Sequence, residues 1–156
     1  MAGFFRSPKT GHLCWVVAAL LLLAWPVFAE DTIIGSVRQV KGSAFLVRGE
    51  QNMTAQSNQQ VMLGDVLRTG ADGALGVILR DDTVLSLGPN SELSMDEFAF
   101  APVEDQLSLV GRMTKGTATF LTGKIGQIKP EAMRIETPNG TIGVRGTQFL
   151  VQVAEQ

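Results

Sequence analysis

Beyond residue 29 the chain contains no cysteine, histidine, tryptophan or tyrosine. Without cysteine there can be no disulfide, so stability must come from packing even in an oxidising compartment. Without histidine or cysteine, the zinc, copper and haem sites that depend on those ligands are excluded. A Ser or Thr nucleophile would need a lysine base or a carboxylate partner, and no S-x-x-K run occurs. Positive charge is also scarce. Two of the 13 basic residues, Arg6 and Lys9, precede residue 29, leaving 11 against 15 acidic ones, a balance of −4. With no basic cluster, that balance argues against nucleic acid. Missing too is any stretch with a 3.6-residue apolar face, and hence any convincing helix.

What is present begins with a leader. Arg6 and Lys9 form a basic start, Leu13 to Trp25 an apolar run that Pro26 ends, and Val27-Phe28-Ala29 offers small residues before Glu30-Asp31. This is the layout of a signal peptide, residues 1–29, cleaved after Ala29. The rival is an uncleaved anchor, since the 17 residues from Leu13 to Ala29 lie at the short limit for a membrane span. Membrane contact is expected only through this segment, if it is retained. Cys14 lies inside it rather than after it, unlike a lipid-attachment cysteine. The expected location is periplasmic or secreted, and residues 30–156 are long enough for one domain with a core of its own.

The stretch Gly64 to Met95 sets the fold class. Leu75, Val77 and Leu79 alternate with Ala74, Gly76, Ile78 and Arg80. The beat resumes at Leu85 and Leu87 after Asp81-Asp82, and at Leu93 and Met95 after Gly88-Pro89-Asn90-Ser91. Period-2 alternation broken every eight to ten residues by turn formers marks short half-buried strands. Upstream, Ile33–Val40 and Ser43–Val47 are separated by a tight corner at Lys41-Gly42. Gly49–Gln60 reads as an exposed loop, and Val61–Leu67 as a strand interrupted at Gly64-Asp65. Downstream, Leu107 and Leu109, then Thr117–Leu121 between two glycines, then Met133–Glu136, read as separate strands. Thr137-Pro138-Asn139-Gly140 is a turn, and Phe149, Val151 and Val153 mark a closing strand. The expectation is an all-β domain of about ten or eleven short strands, a solenoid-like roll or a sandwich.

Candidate chemistry is thin. Asp81-Asp82, Asp96-Glu97 and Glu104-Asp105 are adjacent carboxylates that point to opposite faces on a strand. At turns they cap backbone N–H groups and stay solvated. The chain is therefore expected not to be an enzyme and to hold no cofactor or metal. The glycines from Gly140 to Gly146 do not follow the dinucleotide fingerprint, and the GXXG at Gly143–Gly146 lacks helical flanks. Gly123-Lys124 lacks the rest of a P-loop, and no D-x-D-x-D-G calcium run is present. The five phenylalanines beyond residue 29 fall mostly in strand patterns, as core rather than as a sugar-binding platform. Arg145, between Gly143 and Gly146, stands out. On a strand it shares a face with Gly143 and Thr147, and it is expected to be a structural cation paired with a turn carboxylate such as Asp65. The competing role is recognition of a carboxylate ligand or partner. The closing strand presents an edge without Pro or Lys, which a partner could extend by β-augmentation. The competing arrangement closes that edge with Ile33–Val37.

Three segments in this order, Gly64-Asp65-Val66-Leu67-Arg68-Thr69-Gly70, Gly88-Pro89-Asn90-Ser91 and Thr137-Pro138 through Arg145-Gly146-Thr147-x-Phe149, resemble the FecR domain over about Ile34 to Val153. The resemblance implies an all-β periplasmic module. Asp65, Arg145, Thr147 and Phe149, which fall within these segments, are the candidate interaction or structural residues. In the namesake regulators the domain senses a loaded outer-membrane iron transporter and signals to a cytoplasmic sigma factor. Those regulators carry an anti-sigma region before a membrane helix, whereas about a dozen residues precede the apolar run here, so that relay is not carried over. The expected function is an exported, non-catalytic sensing and protein-interaction module of the bacterial envelope, with another envelope protein as partner. The alternative is a structural or surface, adhesin-associated module contacting glycan.

Overall fold

The computed structural model describes residues 1, 3 and 32–154. The leader assigned to residues 1–29 and its cleavage point lie outside the described residues, Met1 and Gly3 apart. The described residues form twelve strands and one short helix, arranged as a single sheet that curls around one core. Its spine is β9 (Gln106–Leu121), a 16-residue strand shared by two flanks.

The first flank runs β4 (Gln60–Met62), β1 (Ile33–Lys41), β6 (Ala74–Leu79), β7 (Val84–Leu87), the second half of β9, and β12 (Gln148–Val153). The second runs β3 (Gln51–Thr54), β2 (Ala44–Arg48), β5 (Val66–Thr69), β8 (Glu92–Ala101), the first half of β9, β10 (Met133–Thr137) and β11 (Gly140–Gly143). All pairings are antiparallel except β9 with β10, which is reached through helix α1 (Lys124–Ile128). A parallel neighbour cannot be reached by a tight hairpin, and this short helix supplies part of the crossover.

The alternation in the sequence maps onto the core. Leu75, Val77, Leu79, Leu85, Leu87, Leu93 and Met95 are all buried, and they join Leu46, Leu67, Leu109, Met113 and Phe120 in one cluster. Each fully buried aliphatic side chain contributes about 1.5–3 kcal/mol. With no disulfide available among the described residues, this cluster holds the roll together.

Three expectations need correction. Gly49–Gln60 is not only loop: Gln51–Thr54 forms β3, paired with β2. Its side chains are mostly exposed, so no apolar alternation announces it. Leu107–Leu109 and Thr117–Leu121 are not separate strands but parts of β9. Gly111 and Gly116 look like breaks yet serve as close-approach points. A Cβ at Gly111 would touch Ile135 and Leu93 at 3.4 Å, and Gly116 takes φ +89° at the residue where β9 passes from one flank to the other. Finally, Ile33–Val37 does not close the β12 edge. It is occupied by β4 and β6, and β12 pairs with β9 instead.

Candidate functional site

The Gly64–Gly70 segment is a structural node. In the β2–β5 register Val47 faces Val66, so Arg48 stands beside Asp65 one step further along. The Asp65 side chain is 0 % exposed, and the Arg48 guanidinium grips it with two bonds, Nε to Oδ1 at 2.8 Å and Nη2 to Oδ2 at 2.7 Å. The Met62 amide donates to the same carboxylate at 2.8 Å. A charge removed from water must be paired and hydrogen-bonded in this way. Asp65 was the expected partner of Arg145. The structure gives it to Arg48, which reaches it across adjacent strands.

The Gly88–Ser91 turn is stapled to both neighbours. The Thr69 hydroxyl donates to the Gly88 carbonyl at 2.6 Å and accepts from the Ser91 amide at 2.9 Å. Ser91 Oγ accepts from the Thr117 amide at 2.9 Å. Across the molecule Asp81 caps Thr83 N at 3.1 Å, accepts from the Thr83 hydroxyl at 2.7 Å and receives Ile125 N at 3.3 Å. Asp81 is thus a capping carboxylate, as expected, but a buried rather than a solvated one. Asp82, in the left-handed region at φ 67°, points outward to Lys124 at 2.8 Å, and that bond raises the lysine pKa. Of the other adjacent carboxylates, Asp96 and Glu97 engage Arg112 and Ser108, and Asp105 meets Lys129. Among the described residues every buried side-chain nitrogen and oxygen has a partner.

Arg145 is different. It lies between β11 and β12, outside any strand, and is exposed. No described residue forms a hydrogen bond or ion pair with its side chain, and the pairing with Asp65 expected for it does not hold, because Asp65 is bound by Arg48. Its backbone setting is nevertheless fixed. Val144 is buried on one side, and on the other Thr122 binds the chain twice, hydroxyl to Gly146 O at 2.9 Å and amide to Thr147 O at 2.8 Å. The loop borders an open cavity of about 520 Å³ lined by Pro130, Glu131, Gly143, Val144 and Gly146. Thr147 is exposed beside Arg145 and contributes its carbonyl to this anchoring. Phe149 is half-buried and stacks on Phe120, with ring centroids 4.8 Å apart and planes at 4°. The structure thus brings Arg145, Thr147 and Phe149 together at the start of β12 and leaves Asp65 in the Arg48 node.

The sequence reading missed Arg48, Thr69, Ser91 and Thr122. Arg48 was legible in principle, as a cation ending an apolar strand at the position matching Asp65 in the next. A hydroxyl that bonds a turn 20 residues away leaves no local signal. A second open cavity of about 490 Å³ is lined by Arg38, Arg80, Gln60 and Asp82. No group of three or more His, Cys, Asp or Glu that could hold a metal ion occurs among the described residues. No helix among them is long and apolar enough to cross a membrane.

In comparison with known proteins, the family model described as FecR protein aligns with residues 65–156. The match begins at Asp65 and takes in the Ser91 staple, the Asp81 cap and the Arg145 loop. No curated protein and no solved structure matches.

Proposed function

The chain belongs to the FecR family, and on that premise we propose that it is an exported, non-catalytic binding module of the bacterial envelope that engages a partner protein through Arg145. The observation that carries the reading is an exposed guanidinium, free of any described partner, on a loop whose backbone Thr122 pins on one side and Val144 on the other. An exposed Arg fork carried on an anchored backbone is suited to bidentate capture of a carboxylate. The open, partly apolar cavity beside it accepts the side chains that flank such a carboxylate. An acidic segment of an envelope protein has the matching chemistry.

The non-catalytic reading is supported by where the buried carboxylates go. Asp65 is consumed by Arg48 and Asp81 by backbone amides and Thr83, which leaves neither free to move a proton. The periplasmic or secreted location rests on the leader and on the family. The glycan-contacting alternative draws no support from the aromatics: Phe120 is buried and Phe45, Phe98, Phe100 and Phe149 are half-buried, so none offers a flat exposed ring.

The test is site-specific photo-cross-linking in intact envelopes, with the reactive side chain at position 145 and, as control, at exposed Gln51 on β3. A discrete adduct with one envelope protein from position 145 alone supports the assignment. Identical adducts from both positions, or none from 145, overturn it.

A further inference from the structure

We propose that β12 is a self-association edge, across which two copies of the chain pair antiparallel about a two-fold axis centred on Leu150. The argument starts from the peptide groups. In the β9–β12 ladder Gln148 faces Leu121 and Val153 faces Gly116. One step earlier Thr122 N donates to Thr147 O, which makes that pair a hydrogen-bonded one. Along an antiparallel ladder, bonded and non-bonded pairs alternate. Phe149, Val151 and Val153 therefore direct their N–H and C=O groups to β9, and Gln148, Leu150 and Gln152 direct theirs away from it. The other side of β9 agrees: Gly88 N donates to Thr117 O, so the odd-numbered residues of that half of β9 face β7. Nothing among the described residues pairs with the outer side of β12.

Three other strands end the sheet among the described residues, and each is blunted in a way β12 is not. Strand β4 has three residues, β11 has four with glycine at both ends, and β3 has four that are mostly polar. Strand β12 has six, carries neither charge nor proline, and places Leu150, 61 % exposed, at the centre of its outer face. Long uncharged edges are the ones that recruit another strand.

A second copy fits because the outward set is symmetric about Leu150. Two-fold antiparallel pairing sets Leu150 opposite Leu150 of the second copy and Gln148 opposite Gln152, twice. All three outward residues then fall in hydrogen-bonded pairs, each exchanging two bonds. The apolar face continues as well, with Phe149 opposite Val151. An interface of this type is isologous and closes at two chains.

Amide exchange on purified protein across a dilution series, with sedimentation on the same samples, reads the pattern directly. In dilute monomer the amides of Gln148, Leu150 and Gln152 should exchange fast while those of Phe149, Val151 and Val153 are slow. At high concentration the first three should slow by about tenfold or more as a dimer forms. Leu150→Lys places like charges opposite each other and should raise the dimer dissociation constant by about tenfold. Its thermal midpoint when dilute should match wild type, because Leu150 is 61 % exposed. A protein that stays monomeric at every concentration overturns the proposal. So does a dimer whose new protection lies elsewhere, or a dilute monomer in which the outward amides are already slow. Capture of a foreign strand by a monomer-only β12 would also overturn it, in favour of a heterologous partner. None of these outcomes bears on the cross-linking from position 145.

Discussion

Removing the Arg48 guanidinium leaves the Asp65 carboxylate, 0 % exposed, with the Met62 amide as its remaining donor among the described residues. Breaking a buried pair by deleting one partner costs about 3–5 kcal/mol. Because the Arg48 side chain is 32 % exposed, and water can enter the space it vacates, Arg48→Ala is expected at the low end, about 3 kcal/mol. Arg145→Ala should move stability by no more than about 0.5 kcal/mol, as for a surface substitution with no buried partner. Urea titration of the two variants side by side checks both values. The contrast shows what a single sequence can reveal about paired residues. Asp65 stands out as a carboxylate needing a cation, and Arg145 as a cation needing a role. Which cation serves which carboxylate is a matter of strand register, and Arg48 reaches Asp65 only because β2 and β5 are neighbours.

At the level of single elements, inward positions were legible and element ends were not. Burial enforces period-2 alternation, so Leu75 through Met95 declared themselves. Exposed β3 is under no such constraint, and β9 contains glycines that mimic turns. Gly116→Ala tests the reading of β9 as one strand bent at the flank change. The position requires φ +89°, and an added Cβ would collide with Ser91 and the Asn90 carbonyl. Left-handed strain of about 1–2 kcal/mol and overpacking of about 1–3 kcal/mol together predict a loss of at least about 2 kcal/mol in a denaturant titration. The corner between β5 and β6 carries a pH-dependent element. Hydrogen bonds from Ser43 hold the Asp72 carboxyl below its ordinary value of 3.8. A carboxyl depressed in the folded state adds stability above its unfolded value and loses it as pH falls through the folded one. Wild type and Asp72→Asn should therefore differ slightly in urea midpoint near neutral pH and converge as pH drops below 3.8. The effect is small because the group is fully exposed.

For the molecule as a whole, the fold class was legible because one alternating block of about 30 residues already contains three core strands and their turns. The path of the sheet was not, since nothing local announces that β10 lies parallel to β9 or that β12 sits outermost. The proposed export has a spectroscopic signature: both tryptophans, Trp15 and Trp25, precede the expected cleavage point after Ala29, and the chain has no tyrosine. Protein recovered from the envelope should begin at Glu30 and show no tryptophan emission. Full-length fluorescent protein in the inner-membrane fraction would instead establish an anchor. The proposed function implies a division of labour in which buried polar staples fix the frame and Arg145 is left for contact. Quantitative capture of the envelope protein that cross-links to position 145, by wild type and by Arg145→Ala, measures that division. The expected result is binding weakened by about tenfold or more, the loss of a charge-assisted hydrogen bond, with the urea midpoint unchanged. Equal capture by the two proteins would contradict it.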